Sequence, residues 1–231
     1  MAPAKTFASV RVLGDLTVEG SISPAQNGVV THPFNDASGW TTVDGTGNAD
    51  ITSGVLRLSH NIGADAYRLG VLNYNGASAF RALGMRGDFD VCVRIASMSA
   101  ENASYALLEI ADASSAGERY SIFAQQNGAV SIVKNTDNTT HYSIAGVFPG
   151  FTGQEWLRLS VRAGLVTGFT GIGVAGARPA LWSPLWNAIG TAVVQPVAWS
   201  HVSCSVQVVG IGATSTTDFD DFTTVDLGNG L

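Results

Sequence analysis

Charge is what this sequence has least of. Only 13% of its 231 residues are Asp, Glu, Lys or Arg, and Lys and Glu together number seven. Surface helices need many such straight-chain polar residues, so a helical protein is nearly excluded. Clustered basic residues are also missing, and 12 Lys and Arg against 18 Asp and Glu leave a net charge of −6. That balance excludes recognition of DNA or RNA through phosphates. No apolar run is long enough to cross a bilayer as a helix. Met1–Phe7 lacks a charged stretch followed by an apolar core, so a cleaved signal peptide is not expected. There are two cysteines, Cys92 and Cys204, each inside a strand-like run. In a chain made in the cytoplasm, two buried free thiols are expected ahead of a disulfide.

What is there is apolar and small-polar. Hydrophobic residues make up 45% of the chain, which excludes disorder, and Gly, Ser, Thr and Asn supply about a third of it. Runs of period two separated by small polar turns read as strands. Leu56 and Leu58 share one face of a strand, with Val55, Arg57 and Ser59 on the other. Phe89, Val91 and Val93 point inward, opposite Asp90, Cys92 and Arg94. Leu157, Leu159 and Val161 oppose Trp156, Arg158, Ser160 and Arg162. Asn127-Gly128 joins two strands as a hairpin. About a dozen or more strands recur at turn spacing, the signature of a sandwich or barrel. The best local helix candidate is the short stretch Ala77–Leu83.

Residues 1–30 differ from residues 31–231 and are read as a separate β-ribbon or arm. Leu16 and Val18 alternate with Thr17 and Glu19, and Ile22 resumes the pattern before Pro24. Two strands cannot bury their own apolar face. Leu13, Leu16, Val18 and Ile22 therefore pack on the main domain as its first strands, or on a partner or second copy, and the second reading is preferred.

Several segments taken in order resemble the concanavalin A-like lectin/glucanase jelly rolls. They are Phe34-Asn-Asp-Ala-Ser-Gly-Trp40, Gly54-Val-Leu-Arg-Leu58, Gly87-Asp-Phe-Asp-Val91, Glu155-Trp-Leu-Arg-Leu159 and Asp218-Phe-Asp-Asp-Phe222. The resemblance covers about residues 33–226 and implies an all-β jelly-roll β-sandwich. Leu13-Gly-Asp-Leu-Thr-Val-Glu-Gly-Ser-Ile22 resembles segments near the N-termini of tailed-phage fibres, spikes and decoration proteins. That second resemblance implies a virion structural protein, made in the host cytoplasm and placed on the virion surface. Its partners would be capsid or tail proteins and itself, as a homotrimer, with host polysaccharide as a further ligand. A free carbohydrate-binding module is the alternative, and a glycoside hydrolase of the same fold comes third.

Retaining glucanases of this type carry acids on one strand face. Here Glu109-Ile-Ala-Asp112 puts its two acids on opposite faces, and positions 114 and 115 are Ser. The four histidines have no metal-ligand spacing. Gly171-Ile-Gly-Val-Ala-Gly176 matches a dinucleotide fingerprint, but no helix pattern follows it. The chain is expected not to be an enzyme.

Two binding features stand out. Trp182 and Trp186 flank a proline turn near Arg178; indoles stack on sugar rings and Arg donates hydrogen bonds, so the three form a candidate glycan site. Packing on the sandwich is the other reading of the two indoles. Asp220 and Asp221 stand side by side, and burial of both requires a neutralising group. The jelly-roll resemblance implies Ca²⁺ held with Asn35 or Asp36, whereas an Arg or a loop amide would serve equally.

Overall fold

In a computed structural model of the chain, the structure describes residues 29–32, 34–35, 39–43, 47–52, 54–61, 78–85, 87–99, 104–111, 119–136, 139–148, 151–162, 165–185, 199–208 and 214–228. Leu13, Leu16, Val18 and Ile22 of the N-terminal segment lie outside the described residues, as do Asp36, Asp112 and Trp186.

Two antiparallel sheets pack face to face as a jelly-roll sandwich. From edge to edge the first runs β13 (Ser183–Pro184), β12 (Leu165–Ile172), β11 (Glu155–Arg162), β6 (Asp88–Met98), β15 (Thr214–Gly228), β4 (Val55–Asn61) and β3 (Gly47–Thr52). The short β1 (Val29–His32) pairs with β15 beyond the end of β4. The second sheet runs β10 (Thr139–Val147), β9 (Ala129–Thr136), β8 (Arg119–Gln125), β7 (Ser104–Ala111), β14 (Trp199–Val208), β5 (Ser78–Met85) and β2 (Thr41–Val43). Among the described residues there is no helix. Of the stretch Ala77–Leu83, the best local helix candidate, residues 78–83 fall in β5 and Ala77 lies outside the described residues. The pairing of β5 with β14 and β2 overrides the local preference of its Ala and Leu residues.

The core forms where the inward positions of both sheets meet. Leu56, Leu58, Phe89, Val91, Val93, Leu157 and Leu159 come from the first sheet, and Leu108, Ile110, Tyr120, Ile122, Val130 and Val202 from the second. All are essentially inaccessible to solvent. The faces expected from alternation on β4, β6 and β11 are those observed. At one end Phe34 and Trp40 stack at 5.1 Å, and Trp40 meets Phe222 edge-on at 5.0 Å. The opening and closing segments of the sequence pattern are thus held together by ring packing.

The β8–β9 hairpin turns at Asn127-Gly128 as expected, with a longer loop than the two-residue turn such a pair favours. Gly128 donates to the carbonyl of Gln125 at 2.8 Å with φ of +88°. The loop is therefore three residues, a turn closed by a left-handed glycine. Asn127 Oδ1 accepts the Ala129 amide at 3.0 Å and fixes it.

β15 carries an irregularity that positions the site. Asp220 pairs with Arg94 and Thr223 with Cys92, so three steps along β15 match two along β6. The extra residue is accommodated by Asp221, whose φ is +51°. A β-bulge of this kind turns an extra side chain toward one face.

Candidate functional site

The outer face of the first sheet is built from alternate residues of three neighbouring strands. Register places Arg94 of β6 beside Trp156 of β11 and Gly171 of β12, and Cys92 beside Arg158 and Phe169. Because this face is closed over by the segment following β12, its charged groups are largely buried and must be paired.

Arg94 is the centre of one network. Its Nε donates to Asp221 Oδ2 at 2.7 Å, its Nη2 to Asp220 Oδ2, and its Nη1 to the Gly153 carbonyl at 2.8 Å. Asp221 Oδ2 also accepts the Gly176 amide at 2.8 Å, and Asp220 Oδ1 accepts the Asp221 amide at 2.7 Å. Burial pushes the Asp220 carboxyl above its ordinary value and the charge of Asp221 adds to this, against the opposing pull of the Asp221 amide and Arg94. Beside it, Glu155 closes the turn before β11 by accepting the amides of Thr152, Gly153 and Gln154.

These contacts bear on the calcium expectation for Asp220, Asp221 and Asp36. A cation and Arg94 would compete for the same two Oδ2 atoms, and the guanidinium supplies one positive charge to the pair. Of the neutralising groups expected for this acid pair the arginine is the one observed, and Asp36 lies outside the described residues. Among the described residues no three acidic, imidazole or thiol groups gather as a metal site requires.

A second network surrounds Asp90, which is 3% exposed. Arg158 Nη2 reaches Asp90 Oδ2 at 2.8 Å, and Arg162 Nη2 reaches Oδ1 at 2.9 Å. Arg178 Nη2 stands 3.7 Å from Oδ2, an ion pair too long for a hydrogen bond. Arg158 lies over the Phe169 ring at 4.7 Å and the Trp182 ring at 5.2 Å, and Arg178 lies 5.9 Å from the Trp182 ring. Trp182 meets the buried Trp156 edge-on at 6.5 Å.

Arg178 and Trp182 of the candidate glycan site are therefore brought together, and Trp186 lies outside the described residues. Trp182 is half-buried, packing on the sheet with one side while its neighbour Leu181 is 86% exposed. Both readings of this indole meet at one residue.

Sequence reasoning missed the role of the glycine run. A Cβ on Gly171 would lie 2.8 Å from Pro179 Cγ and 3.0 Å from Trp182 Cε3, and one on Gly173 would lie 3.0 Å from Trp156 Nε1. The glycines let the returning segment lie directly on the sheet. That segment also pairs back through β13, where Ser183 and Pro184 meet Thr170 and Phe169. The signal was present as the Gly171–Gly176 match, which has a packing cause.

Both cysteines are free and buried. Cys204 lies in the core, whereas Cys92 lies on the outer face beside Arg158. Burial pushes the Cys92 thiol up to about 12, against the pull of Arg178. Burial pushes Cys204 up as well.

On the outer face of the second sheet, Glu109 is 3% exposed and accepts the Ser121 hydroxyl at 2.6 Å. The positions two residues away on that strand face are Leu107 and Ala111, and the cross-strand partners of Glu109 are Ser121 and Ser203. Among the described residues, those neighbouring positions hold no second acid, and Asp112 lies outside the described residues.

No protein-family profile matches the chain, and no curated protein matches it in sequence. Among solved structures it is similar to a prokaryotic β-1,3-1,4-glucanase (lichenase) derived from a mouse hindgut metagenome, with a TM-score of 0.55 and 14% identity over 86% of this chain and 98% of that one. The Bacillus licheniformis β-glucanase gives 0.54 and 13% over 86% and 97%. The CBM2 module of the evolved Dit of Lactobacillus casei BL23 phage J-1 gives 0.53 and 10% over 86% and 96%. At such identities the likeness shows a shared jelly-roll fold.

Proposed function

We propose that this chain is a non-catalytic, lectin-like module of a tailed-phage virion, displayed outward to recognise host-surface glycan. The observation that carries the reading is Trp182, half-buried beside Arg158 and Arg178 on a returning segment at the sandwich edge. An aromatic face beside guanidinium donors matches the chemistry of a sugar ring, which is apolar above and hydroxylated at its rim. The sequence Glu109-Ile-Ala-Asp112, with its two acids on opposite strand faces and Ser at 114 and 115, supports recognition without hydrolysis, because retaining and inverting mechanisms both need two carboxylates. The phage-fibre resemblance of Leu13–Ile22 and the likeness to a phage Dit module support the virion setting.

Binding of the purified chain to a panel of bacterial surface polysaccharides tests the glycan reading. Binding that Trp182→Ala abolishes, with the melting temperature little changed, is expected. Absence of binding to every polysaccharide overturns it, and release of reducing ends overturns the non-catalytic part. Deletion of residues 1–30 is expected to abolish incorporation into particles; unchanged incorporation overturns the attachment role.

A further inference from the structure

Around Asp90, on the outer face of the first sheet, guanidiniums outnumber carboxylates, unlike in the protein as a whole. Arg158, Arg162 and Arg178 converge on Asp90. Asp88 lies two residues from Asp90 on the same strand, and counting it still leaves three guanidiniums to two carboxylates. The two oxygens of Asp90 are taken by Arg158 and Arg162. Arg178 is left 3.7 Å away, with 26% of its side chain exposed beside the Trp182 ring. A guanidinium offers five N–H donors in a planar fork that matches carboxylate and phosphate oxygens. Arg178 thus brings a loosely paired, partly exposed guanidinium to the edge of the Trp182 ring, in a chain whose net charge is −6.

We infer that the glycan taken at the Trp182 platform is an acidic polysaccharide, with Arg178 pairing to a carboxylate or phosphate on the sugar. This rests on the glycan-binding reading and specifies its substrate class. A neutral sugar would take only hydrogen bonds to its hydroxyls from Arg178, whereas a carboxylate or phosphate also pairs with its charge. A nucleic acid is disfavoured as the polyanion, since the rest of the chain is acidic and would repel a long phosphate backbone.

The test is affinity electrophoresis of the full chain through gels containing polygalacturonate, a phosphate-bearing teichoic acid, neutral dextran or a neutral β-glucan, with duplex DNA as a control. Retardation by at least one acidic polysaccharide and not by the neutral ones is expected, weakening as salt rises. Arg178→Gln should weaken it about tenfold, and Arg178→Lys should retain most of it at low salt. Polygalacturonate and teichoic acid separate carboxylate from phosphate recognition. Equal retardation by a neutral glucan, abolished by Trp182→Ala and untouched by Arg178→Gln, overturns the acidic class while leaving the glycan reading in place. Equal retardation by DNA reduces the effect to general polyanion attraction and overturns the inference. No retardation by any polysaccharide overturns both. Unchanged circular dichroism of each variant excludes misfolding as the cause.

Discussion

The backbone amide of Gly176 donates at 2.8 Å to Asp221 Oδ2, the same oxygen that accepts Arg94 Nε at 2.7 Å. One carboxylate therefore joins the segment carrying Arg178 and Trp182 to the bulge on β15. Asp221 occupies the left-handed region at φ of +51°, which Asn tolerates better than Ala. Asp221→Asn keeps an acceptor for Gly176 and loses the charge. Asp221→Ala loses both and leaves Ala in a strained conformation. The expected loss of stability is about 1–2 kcal/mol for Asn and about 3 kcal/mol or more for Ala. Urea unfolding ranks them, and hydrogen exchange should show the Gly176 amide faster in the Ala variant. An Ala variant as stable as wild type would refute this role.

Among the described residues, Arg94 is the only hydrogen-bond donor to the Asp220 Oδ2 atom. Removing it leaves two adjacent carboxylates with no cation and the Gly153 carbonyl with one donor fewer. Arg94→Met should cost about 3–5 kcal/mol at neutral pH. The loss should shrink when Asp220→Asn and Asp221→Asn are added, because no unpaired charge then remains. Chemical denaturation of the single and triple variants checks this; equal losses would mean that packing of the arginine stem dominates.

How much of this was legible in the sequence depends on the range of the interaction. The alternation Phe89–Arg94 and Trp156–Arg162 assigned each side chain to its face, because a strand's period of two is local and each run is long enough to read. Within Ala77–Leu83, the best local helix candidate, residues 78–83 are strand because of pairing with β14 and β2, far away in the chain. The pairing of Arg94 with Asp220 joins residues 126 positions apart, so spacing could not choose between a cation and an arginine. The doublet of acids did announce that something must neutralise them. The glycines at 171 and 173 were visible as a pattern, yet only the returning Pro179 and Trp182 reveal what they accommodate.

Asp218 and Asp220 should respond to acid in opposite senses. Burial pushes the Asp218 carboxyl up, but hydrogen bonds from Arg57 and Ser97 outweigh this and hold it below its ordinary value. Arg57 donates twice, from Nε and Nη2, each at 2.8 Å. A depressed folded-state value means the stabilisation is present above about pH 4 and is lost as pH falls through the lower folded value. Asp220 is raised by burial, so its folded carboxyl binds the proton more readily, and its contribution declines as pH rises through the range above about 4. Asp218→Asn should flatten the loss of stability on acidification, and Asp220→Asn should steepen it. Urea midpoints between about pH 3 and pH 7 measure both slopes. Changes of slope in the same direction relative to wild type would contradict this assignment.

Gly171 separates the fold from the platform it carries. A methyl there would meet Pro179 Cγ at 2.8 Å, Pro179 Cβ at 2.9 Å and Trp182 Cε3 at 3.0 Å. Two of these atoms belong to a rigid pyrrolidine ring, which cannot swing aside, so the whole returning segment must lift. Overpacking of this kind costs about 1–3 kcal/mol, which a sandwich with its core intact should survive. The indole, however, would leave its place beside Arg158 and Arg178. Gly176 is the matched control: its φ is +77° and a methyl there would meet nothing within 4 Å, so only backbone strain of about 1 kcal/mol is added. Gly171→Ala should therefore abolish polysaccharide binding as Trp182→Ala does, while Gly176→Ala keeps it at similar or smaller cost in stability. Melting curves and affinity electrophoresis on both variants decide the point. Retained binding in Gly171→Ala would show that the ligand does not depend on where this indole is held.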